Sequence, residues 1–415
     1  MGSFATSLSG LQANSQDLEV ISNNLANLNT TAYKGATAAF QDLFYQQLGT
    51  SGDGNSIQVG VGTQIGSIPA DFTEGNIQST GVSTDVAIEG TGFFVGQTTS
   101  GQDIYFRAGD LSTLANGTLV APDGSDVLGF PAVNGVINPS QTPGPLTIAT
   151  GSISPPLPTA NAEITMNLNS GTPAGGAFST ALTVYDSLGA AHVLTYNFTN
   201  TAPGQWNYSI TIPAADVGGL PTAAPVVVKA GTMTFSGTGQ LLTPAADVTG
   251  IAITPLADGA NTLTFNWNIY GPGNAGLITQ DAATSSASNT QQDGYASGSL
   301  VSFSIGSDGT IDGTFSNGQT QPLGQILLAS FANQQGLSRI GSNEFQATLS
   351  SGAANVGVAG TGGRGTISGG ALEASNVDIS TQFANLIVAE SGYQANAKVV
   401  TTLDTVIQDT ISLIQ

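Results

Sequence analysis

Residues 4–28 read FATSLSGLQANSQDLEVISNNLANL, and residues 378–413 read DISTQFANLIVAESGYQANAKVVTTLDTVIQDTISL; the architecture of the chain follows from these two stretches. In both, large apolar side chains recur at three- and four-residue steps, the spacing of one helix face. The first stripe consists of Leu8, Leu11, Leu18, Ile21, Leu25 and Leu28. The second consists of Phe383, Leu386, Tyr393, Val400, Ile407 and Ile411. We predict two helices, roughly 37 Å and roughly 54 Å long at about 1.5 Å per residue.

The second stripe has the period of a coiled-coil face, because apolar residues recur every seven positions. These residues are Leu386, Tyr393, Val400, Ile407 and Ile414. Ser375 can cap the start of this helix, and Asp378 adds negative charge near the positive end of the helix dipole. The two stripes could pack into one globular core. The first helix, however, has two acids and no base and is marginal alone. It therefore needs neighbours, either its own C-terminal partner or other copies of the chain. In the second case, which we predict, the stripes form a polymerisation seam for self-assembly.

Composition excludes several classes of partner. Charged residues make up 8% of the 415 residues, against about 25% in ordinary globular chains. The formal net charge is −21 with only six lysines and arginines. No basic patch exists to neutralise phosphates, so we predict no nucleic-acid binding and no attraction to an anionic membrane surface.

Catalytic and metal-binding chemistry is poorly represented. Cysteine is absent, which excludes disulfides and thiol catalysis. His192 is the only histidine and lies six residues after Asp186, but no Gly-x-Ser-x-Gly elbow accompanies it, so we interpret it as structural. Residues 360–365 fit Gly-x-Gly-x-x-Gly but open no helix, so we interpret them as a loop. We predict no enzymatic activity, no catalytic residue, no cofactor and no metal. No apolar run is long enough to insert into a membrane, and no cleaved signal peptide is visible.

The middle of the chain predicts β-structure. Residues 194–198, 206–212 and 263–269 alternate apolar and polar side chains, and Gly, Asn and Asp mark turns between such runs. We predict a mainly β protein with terminal α-helices that pair as a coiled-coil-like inner domain, followed by nested all-β domains. The predicted division is a helical inner polymerisation domain at 1–34 and 371–415, an extended connector at 35–75, a middle β domain at 76–145 and 294–370, and an inserted outer β domain at 146–293. The insert is predicted to hold six to nine strands in a sandwich or flattened barrel.

Several motifs carry a family resemblance. The stretches ISNNLAN at 21–27, ALEASNVD at 371–378 and YQANA at 393–397 resemble the terminal signatures of the bacterial flagellar rod–hook axial proteins. DVAIEGTGFFV at 85–95 and the following Arg107-Ala108-Gly109 are similar to a β segment of the same group. The stretch from Tyr185 to His192 resembles the outer domain of hook members, which rod members lack.

The resemblance implies a structural subunit of the flagellar hook. Such a subunit self-assembles into a flexible tubular universal joint that transmits motor torque from rod to filament. The implied partners are other copies of the chain, the distal rod, the hook cap and the hook–filament junction proteins. Export through the flagellar export apparatus to an extracellular hook, without a cleaved signal, is implied as well. The alternatives are another axial protein, distal rod or hook-associated, and a secreted β-rich adhesin.

Overall fold

A computed structural model describes residues 2–53, 56–149 and 151–414. Its two α-helices lie at the chain ends, α1 at Gly2–Ala26 and α2 at Ile379–Ile414. Leu28, predicted as helical, lies in a turn beyond α1. Asp378 rather than Ser375 caps α2, because its Oδ1 accepts the backbone N–H of Thr381 at 2.7 Å. The predicted fold class, mainly β with paired terminal helices, is confirmed.

After α1 the chain forms an exposed antiparallel ribbon made of four short strands. They are β1 Ala39–Asp42, β2 Tyr45–Thr50, β3 Ser56–Gly60 and β4 Thr63–Ser67. The short strand β5 Ile77–Ser79 follows the ribbon. β1 pairs with β4 and β2 pairs with β3, both antiparallel. The stretch predicted as an extended connector therefore folds back on itself. Thr63 N–H donates to Ser9 Oγ at 3.2 Å, which holds the base of the ribbon against α1.

The chain divides into two compact units. The first comprises residues 1–150, 302–313 and 320–415, and the second comprises 151–301 and 314–319. The four-part division stated above stays a prediction. The strands after the ribbon and before the second unit are β6 Val86–Glu89, β7 Phe93–Gln97, β8 Asp103–Phe106, β9 Ser112–Thr113, β10 Leu119–Val120, β11 Asp126–Val133, β12 Val136–Ile137 and β13 Gly144–Pro145.

Eleven strands lie between β13 and the return of the chain. They are β14 Ile153–Ser154, β15 Asn161–Asn167, β16 Ala177–Tyr185, β17 Ala191–Ala202, β18 Gln205–Ile212, β19 Val226–Phe235, β20 Leu241–Thr243, β21 Val248–Ile253, β22 Leu263–Asn268, β23 Ile278–Thr279 and β24 Ser286–Gln292. Short 3-10 helices occupy Ala214–Val217 and Pro272–Asn274. Ten of these strands form two five-stranded sheets, one ordered β16-β17-β18-β19-β20 and one containing β21, β22, β15, β23 and β24. The prediction of six to nine strands was too low because short strands such as β23 carry no alternation of their own.

The core of the second unit lies between its two sheets. Trp206, Tyr196 and Trp267 are fully buried there, and the Trp267 ring meets the Tyr196 ring edge-on at 5.0 Å. The alternation predicted on β17, β18 and β22 is confirmed, because the apolar residue of each alternating pair faces this core.

The returning chain completes the first unit. The remaining strands are β25 Gly298–Ile305, β26 Thr310–Phe315, β27 Thr320–Ser330, β28 Ser338–Gly341, β29 Glu344–Gln346, β30 Asn355–Val358, β31 Thr366–Gly369 and β32 Ala371–Glu373, with a 3-10 helix at Gln334–Gly336. β27 pairs with β11 and β7, β29 pairs with β8, and β31 pairs with β6. β32 pairs with β5 directly before α2. These long-range pairings return the chain to the point where α1 ended, so α2 starts beside α1.

Candidate assembly surface

The two terminal helices pack side by side and run antiparallel. Asn24 Nδ2 donates to Gln382 Oε1 at 3.2 Å near the β-rich end of the pair. Farther along, Gly10 faces Asn396 and Gly392 faces Asn14. These contacts advance along α1 by as many residues as they retreat along α2, so one register holds over the whole pair. The buried positions at the contact are mainly small or polar: Ser7, Gly10, Ala13, Ile21, Asn24, Gln382 and Ala389.

The predicted seam residues are therefore not all at this contact. Ile21 is buried, and Leu11, Leu18, Leu25, Leu28, Leu386, Tyr393 and Val400 are partly exposed. Leu8, Phe383, Ile407 and Ile411 are exposed in the single chain. The Ile414 side chain lies outside the described part. Small and polar side chains, which the periodicity does not single out, fill the contact between the helices. Most apolar side chains of the stripes are left partly or fully exposed to solvent.

The distal part of α2 has no counterpart in α1. Because α1 begins at Gly2, the observed register leaves residues 405–414 of α2 beyond it. Val406, Ile407 and Ile411 lie in this overhang, and each is more than half exposed. A helical segment with exposed apolar side chains and no packed neighbour is weakly stable by itself. This overhang is an apolar surface that a neighbouring molecule can cover.

The ribbon carries a second apolar surface. Phe44 is 93% exposed, and most of the other large apolar side chains of β1–β4 are exposed as well. They are Phe40, Tyr45, Leu48, Ile57 and Val59. Exposed apolar residues at this density mark interaction surfaces more often than scattered single ones do.

A buried ion-pair junction joins the base of the helices to the β-strands. Glu373, at the end of β32, accepts Lys34 Nζ at 2.6 Å and Arg107 Nε at 2.9 Å, with all three side chains essentially inaccessible to solvent. Gly75 N–H donates to the same carboxylate at 2.8 Å. Four parts of the chain therefore meet at one site: the segment after α1 (Lys34), the segment between β4 and β5 (Gly75), the residue that follows β8 (Arg107) and the strand before α2 (Glu373).

The charges at this junction do not balance, since two cations share one carboxylate. Backbone carbonyls complete the coordination: Arg107 donates to the carbonyls of Ile88, Gly90 and Gly92, and Lys34 donates to that of Thr73. Burial and the neighbouring Arg107 lower the pKa of Lys34, against the opposing effect of Glu373. Sequence reasoning missed this junction. The available signal was scarcity: two of only six basic residues are fully buried here.

A carboxylate pair lies near the junction. Glu344, on β29, is buried next to Asp123, and both line a cleft with Asn23 of α1 and Asn27 of the turn that follows it. Burial and the hydrogen bond with Asp123 raise the pKa of Glu344 to about 7. The pair therefore shares a proton in mildly acidic solution and repels when that proton is lost.

His192 is placed in the second unit as a buried, paired side chain. Its Nε2 lies 3.0 Å from Asp186 Oδ2 and its Nδ1 lies 3.1 Å from Asp216 Oδ2. Burial opposes the charged imidazole, but these hydrogen bonds outweigh it and raise the pKa of His192. Asp258 completes a group of three side chains with Asp186 and His192 whose ligand atoms lie within 4.8 Å of one another. Each imidazole nitrogen already has a carboxylate partner, and this arrangement accounts for the histidine structurally.

Among the described residues, neither helix has an apolar stretch of the length and character needed to cross a membrane.

Family comparisons bear on both the ends and the middle of the chain. Residues 4–34 match the flagella basal body rod protein family, and 368–413 match the flagellar basal body rod FlgEFG protein C-terminal family. Residues 87–167 match the flagellar hook protein FlgE/F/G D1 domain, and 155–295 match the flagellar basal body protein FlaE D2 domain.

Relatives match over the full length. The flagellar hook protein FlgE of Escherichia coli is 36% identical, with 99% of each chain covered. The chain belongs to the flagellar hook protein family. The hook protein of Treponema pallidum is also 36% identical, over 100% of this chain and 99% of its own. The structure of Helicobacter pylori flagellar hook protein FlgE2 is similar with a TM-score of 0.49 at 16% identity, and covers 70% of this chain and 98% of the other. In this hook-family chain, the paired helices and the ribbon both carry exposed apolar side chains.

Proposed function

We propose that this chain is a structural subunit of the flagellar hook and polymerises through its paired terminal helices. The observation that carries the proposal is the apolar overhang of α2, in a chain that matches hook proteins from end to end. The helix pairs of many copies pack into an inner tube. The apolar residues of both stripes become buried between copies, and torque passes through these contacts.

The energy of such a joint comes from many modest terms. Full burial of a large apolar side chain contributes about 1.5–3 kcal/mol. Phe383, Ile407 and Ile411 are already half covered in the single chain. Each therefore adds about 1 kcal/mol when a neighbouring copy covers the rest. Repetition along a tube multiplies this term, while a single pair of copies associates weakly.

The second unit has a separate role in this proposal. Its surface has few charges and many Gly, Ser and Thr residues. Contacts between such surfaces exchange at low cost, so outer units slide past their neighbours while the tube bends as a universal joint. Cross-linking the second units of axial neighbours through introduced cysteines is expected to abolish swimming. Normal swimming with complete cross-linking would contradict sliding.

The proposed partners are the distal rod, the hook cap, the hook–filament junction proteins and the flagellar export apparatus. Their contacts follow from the position of a hook subunit between rod and filament. Deletion of this chain is expected to leave a basal body with rod but without hook.

The decisive experiment compares two aspartate substitutions. Ile407→Asp places a charge in the overhang and is expected to abolish tube formation, as judged by sedimentation and electron microscopy of the purified protein. Leu349→Asp is the matched control, because Leu349 is fully exposed in a turn of the same unit and outside both helices. Tubes formed by Ile407→Asp at wild-type yield would refute the proposal.

A further inference from the structure

The helix pair contains a reciprocal contact that the apolar stripes do not explain. Each helix has one glycine in its interior, Gly10 in α1 and Gly392 in α2. Glycine in a helix interior is unfavourable relative to alanine, so its presence needs a reason. Here each glycine faces an asparagine of the opposite helix.

The space at each glycine is already occupied. A Cβ built on Gly10 would lie 2.8 Å from Asn396 Oδ1, and one built on Gly392 would lie 2.6 Å from Asn14 Oδ1. Real Cβ atoms are not found at such distances from heavy atoms. Only glycine therefore lets these asparagines lie flat against the opposite backbone.

Each asparagine is fixed within its own helix. Asn14 Nδ2 donates to the Gly10 carbonyl at 2.7 Å, and Asn396 Nδ2 donates to the Gly392 carbonyl at 2.9 Å. The spacing is four residues in both helices, so the two Gly–Asn pairs are related by a local two-fold axis. An asparagine could rotate away from an added side chain, but the rotation would break this hydrogen bond in a partly buried site.

The arrangement selects one register. The pattern of α2 repeats every seven residues, so a slip of one heptad leaves the same face of α2 towards α1. The same slip places Gly10 opposite Leu403 or Ala389, and Asn14 opposite Val399 or Asn385. A slip of one turn pairs glycine with glycine or asparagine with asparagine. Neither slip restores both Gly–Asn contacts.

From this geometry we infer that Gly10, Asn14, Gly392 and Asn396 form a register lock between α1 and α2. The lock positions residues 405–414 as an overhang of fixed length. Buried asparagines are known to specify register in paired helices at the expense of stability. The consequence for polymerisation rests on the proposed function, whereas the lock itself is a property of the single chain.

The test uses the natural absence of cysteine. Asp17 and Val388 line one small cavity between the helices, so the reporter Asp17→Cys with Val388→Cys detects the observed register. Reporters that join position 17 to Thr381→Cys or Ala395→Cys detect a slip of one heptad. The rate of intramolecular disulfide formation in the unpolymerised full chain measures each register.

The lock is then broken and rebuilt in these reporters. Gly10→Asn opposes asparagine to asparagine and is expected to slow the native reporter about tenfold, since a coupling of 1.4 kcal/mol corresponds to that factor. The exchange Gly10→Asn with Asn396→Gly restores one Gly–Asn pair and is expected to return the rate to about twofold of wild type. Ser22→Asn, on the exposed face of α1, is the matched control and is expected to have no effect.

Two results would overturn the lock. One is a native cross-linking rate in Gly10→Asn equal to wild type. The other is a double variant, Gly10→Asn with Asn396→Gly, that forms the native disulfide as slowly as Gly10→Asn alone, because restoring a Gly–Asn contact would then have no effect on register. Rescue cannot arise from a better helix, since the exchange puts a second glycine into α2. The reporters work on the monomer, so their result stands whatever Ile407→Asp shows about polymerisation.

Discussion

Replacing Glu373 by glutamine tests what holds the terminal helices to the β-strands. The substitution keeps the size of the side chain but removes the one carboxylate that Lys34 and Arg107 share. Two buried cations then remain without an anion. Removing one partner of a buried ion pair costs about 3–5 kcal/mol. At about 2–4 °C per kcal/mol for a unit of this size, the melting temperature of the first unit should fall by about 10 °C.

The assay has a control within the molecule. Both tryptophans, Trp206 and Trp267, are buried in the second unit. Tryptophan fluorescence therefore follows the second unit, and helical circular dichroism follows the first. Glu373→Gln is expected to move only the helical transition. Glu19→Gln, an exposed carboxylate on α1, is the matched control and should move neither.

A second variant separates charge imbalance from general disruption. Lys34→Met leaves Arg107 and Glu373 as a balanced pair, so its loss of stability should be smaller than that of Glu373→Gln. A wild-type melting temperature for Glu373→Gln, or a larger loss of stability in Lys34→Met than in Glu373→Gln, would contradict this role of the Glu373 carboxylate.

Three further predictions follow from the geometry. Glu344 has a raised pKa, so its contribution to stability is full below pH 4.5 and is lost as the pH rises through about 7. The free energy of unfolding of the first unit, measured in urea, should therefore fall over that window. Glu344→Gln should remove this pH dependence, and an unchanged pH dependence in that variant would count against the pair with Asp123. His192 has a raised pKa, so its contribution to the stability of the second unit is full below its unfolded value of 6.5 and is lost as the pH rises through the folded value. The pKa of Asp186 is lowered to about 2, so its contribution is lost as the pH falls from 3.8 toward 2. In unfolding followed by tryptophan fluorescence, His192→Gln should not lose stability as the pH rises above 6.5, and persistence of that loss would contradict the assignment. Phe44→Ser should leave monomer stability within about 0.5 kcal/mol, since the ring is exposed, but should reduce tube yield; unaltered tube yield in sedimentation would remove the ribbon from the assembly surface.

The helices and the alternating strands could be predicted from the spacing of apolar residues along the chain. The strand around Trp206 and Tyr208 follows from period-two alternation, and both helices follow from three- and four-residue spacing. The exposure of Ile407 could not be predicted from periodicity, because a stripe looks the same whether it faces its own chain or another. For the same reason, periodicity pointed to the leucines as the helix contact, whereas Ala13 and Ala389 are the residues buried there.

Long-range pairing was beyond sequence reasoning. Lys34 and Arg107 lie 339 and 266 positions from Glu373, and long-range contacts such as the pairing of β32 with β5 are needed to bring them together. The interior glycines of α1 and α2 were visible in the sequence as costly residues. Their asparagine partners could be assigned only once the antiparallel register of the helices was known.

Hydrogen exchange at residues 405–414, compared between monomer and assembled tube, shows whether neighbouring copies cover the α2 overhang. In the single chain this segment of α2 lies beyond α1 with its apolar side chains exposed, so its amides should exchange rapidly. Assembly is expected to bury the segment between copies and to slow exchange by orders of magnitude, whereas the exposed residue Leu349 and its neighbours should change little. Exchange in the tube as rapid as in the monomer would show that the overhang stays open, and the seam would not be the joint.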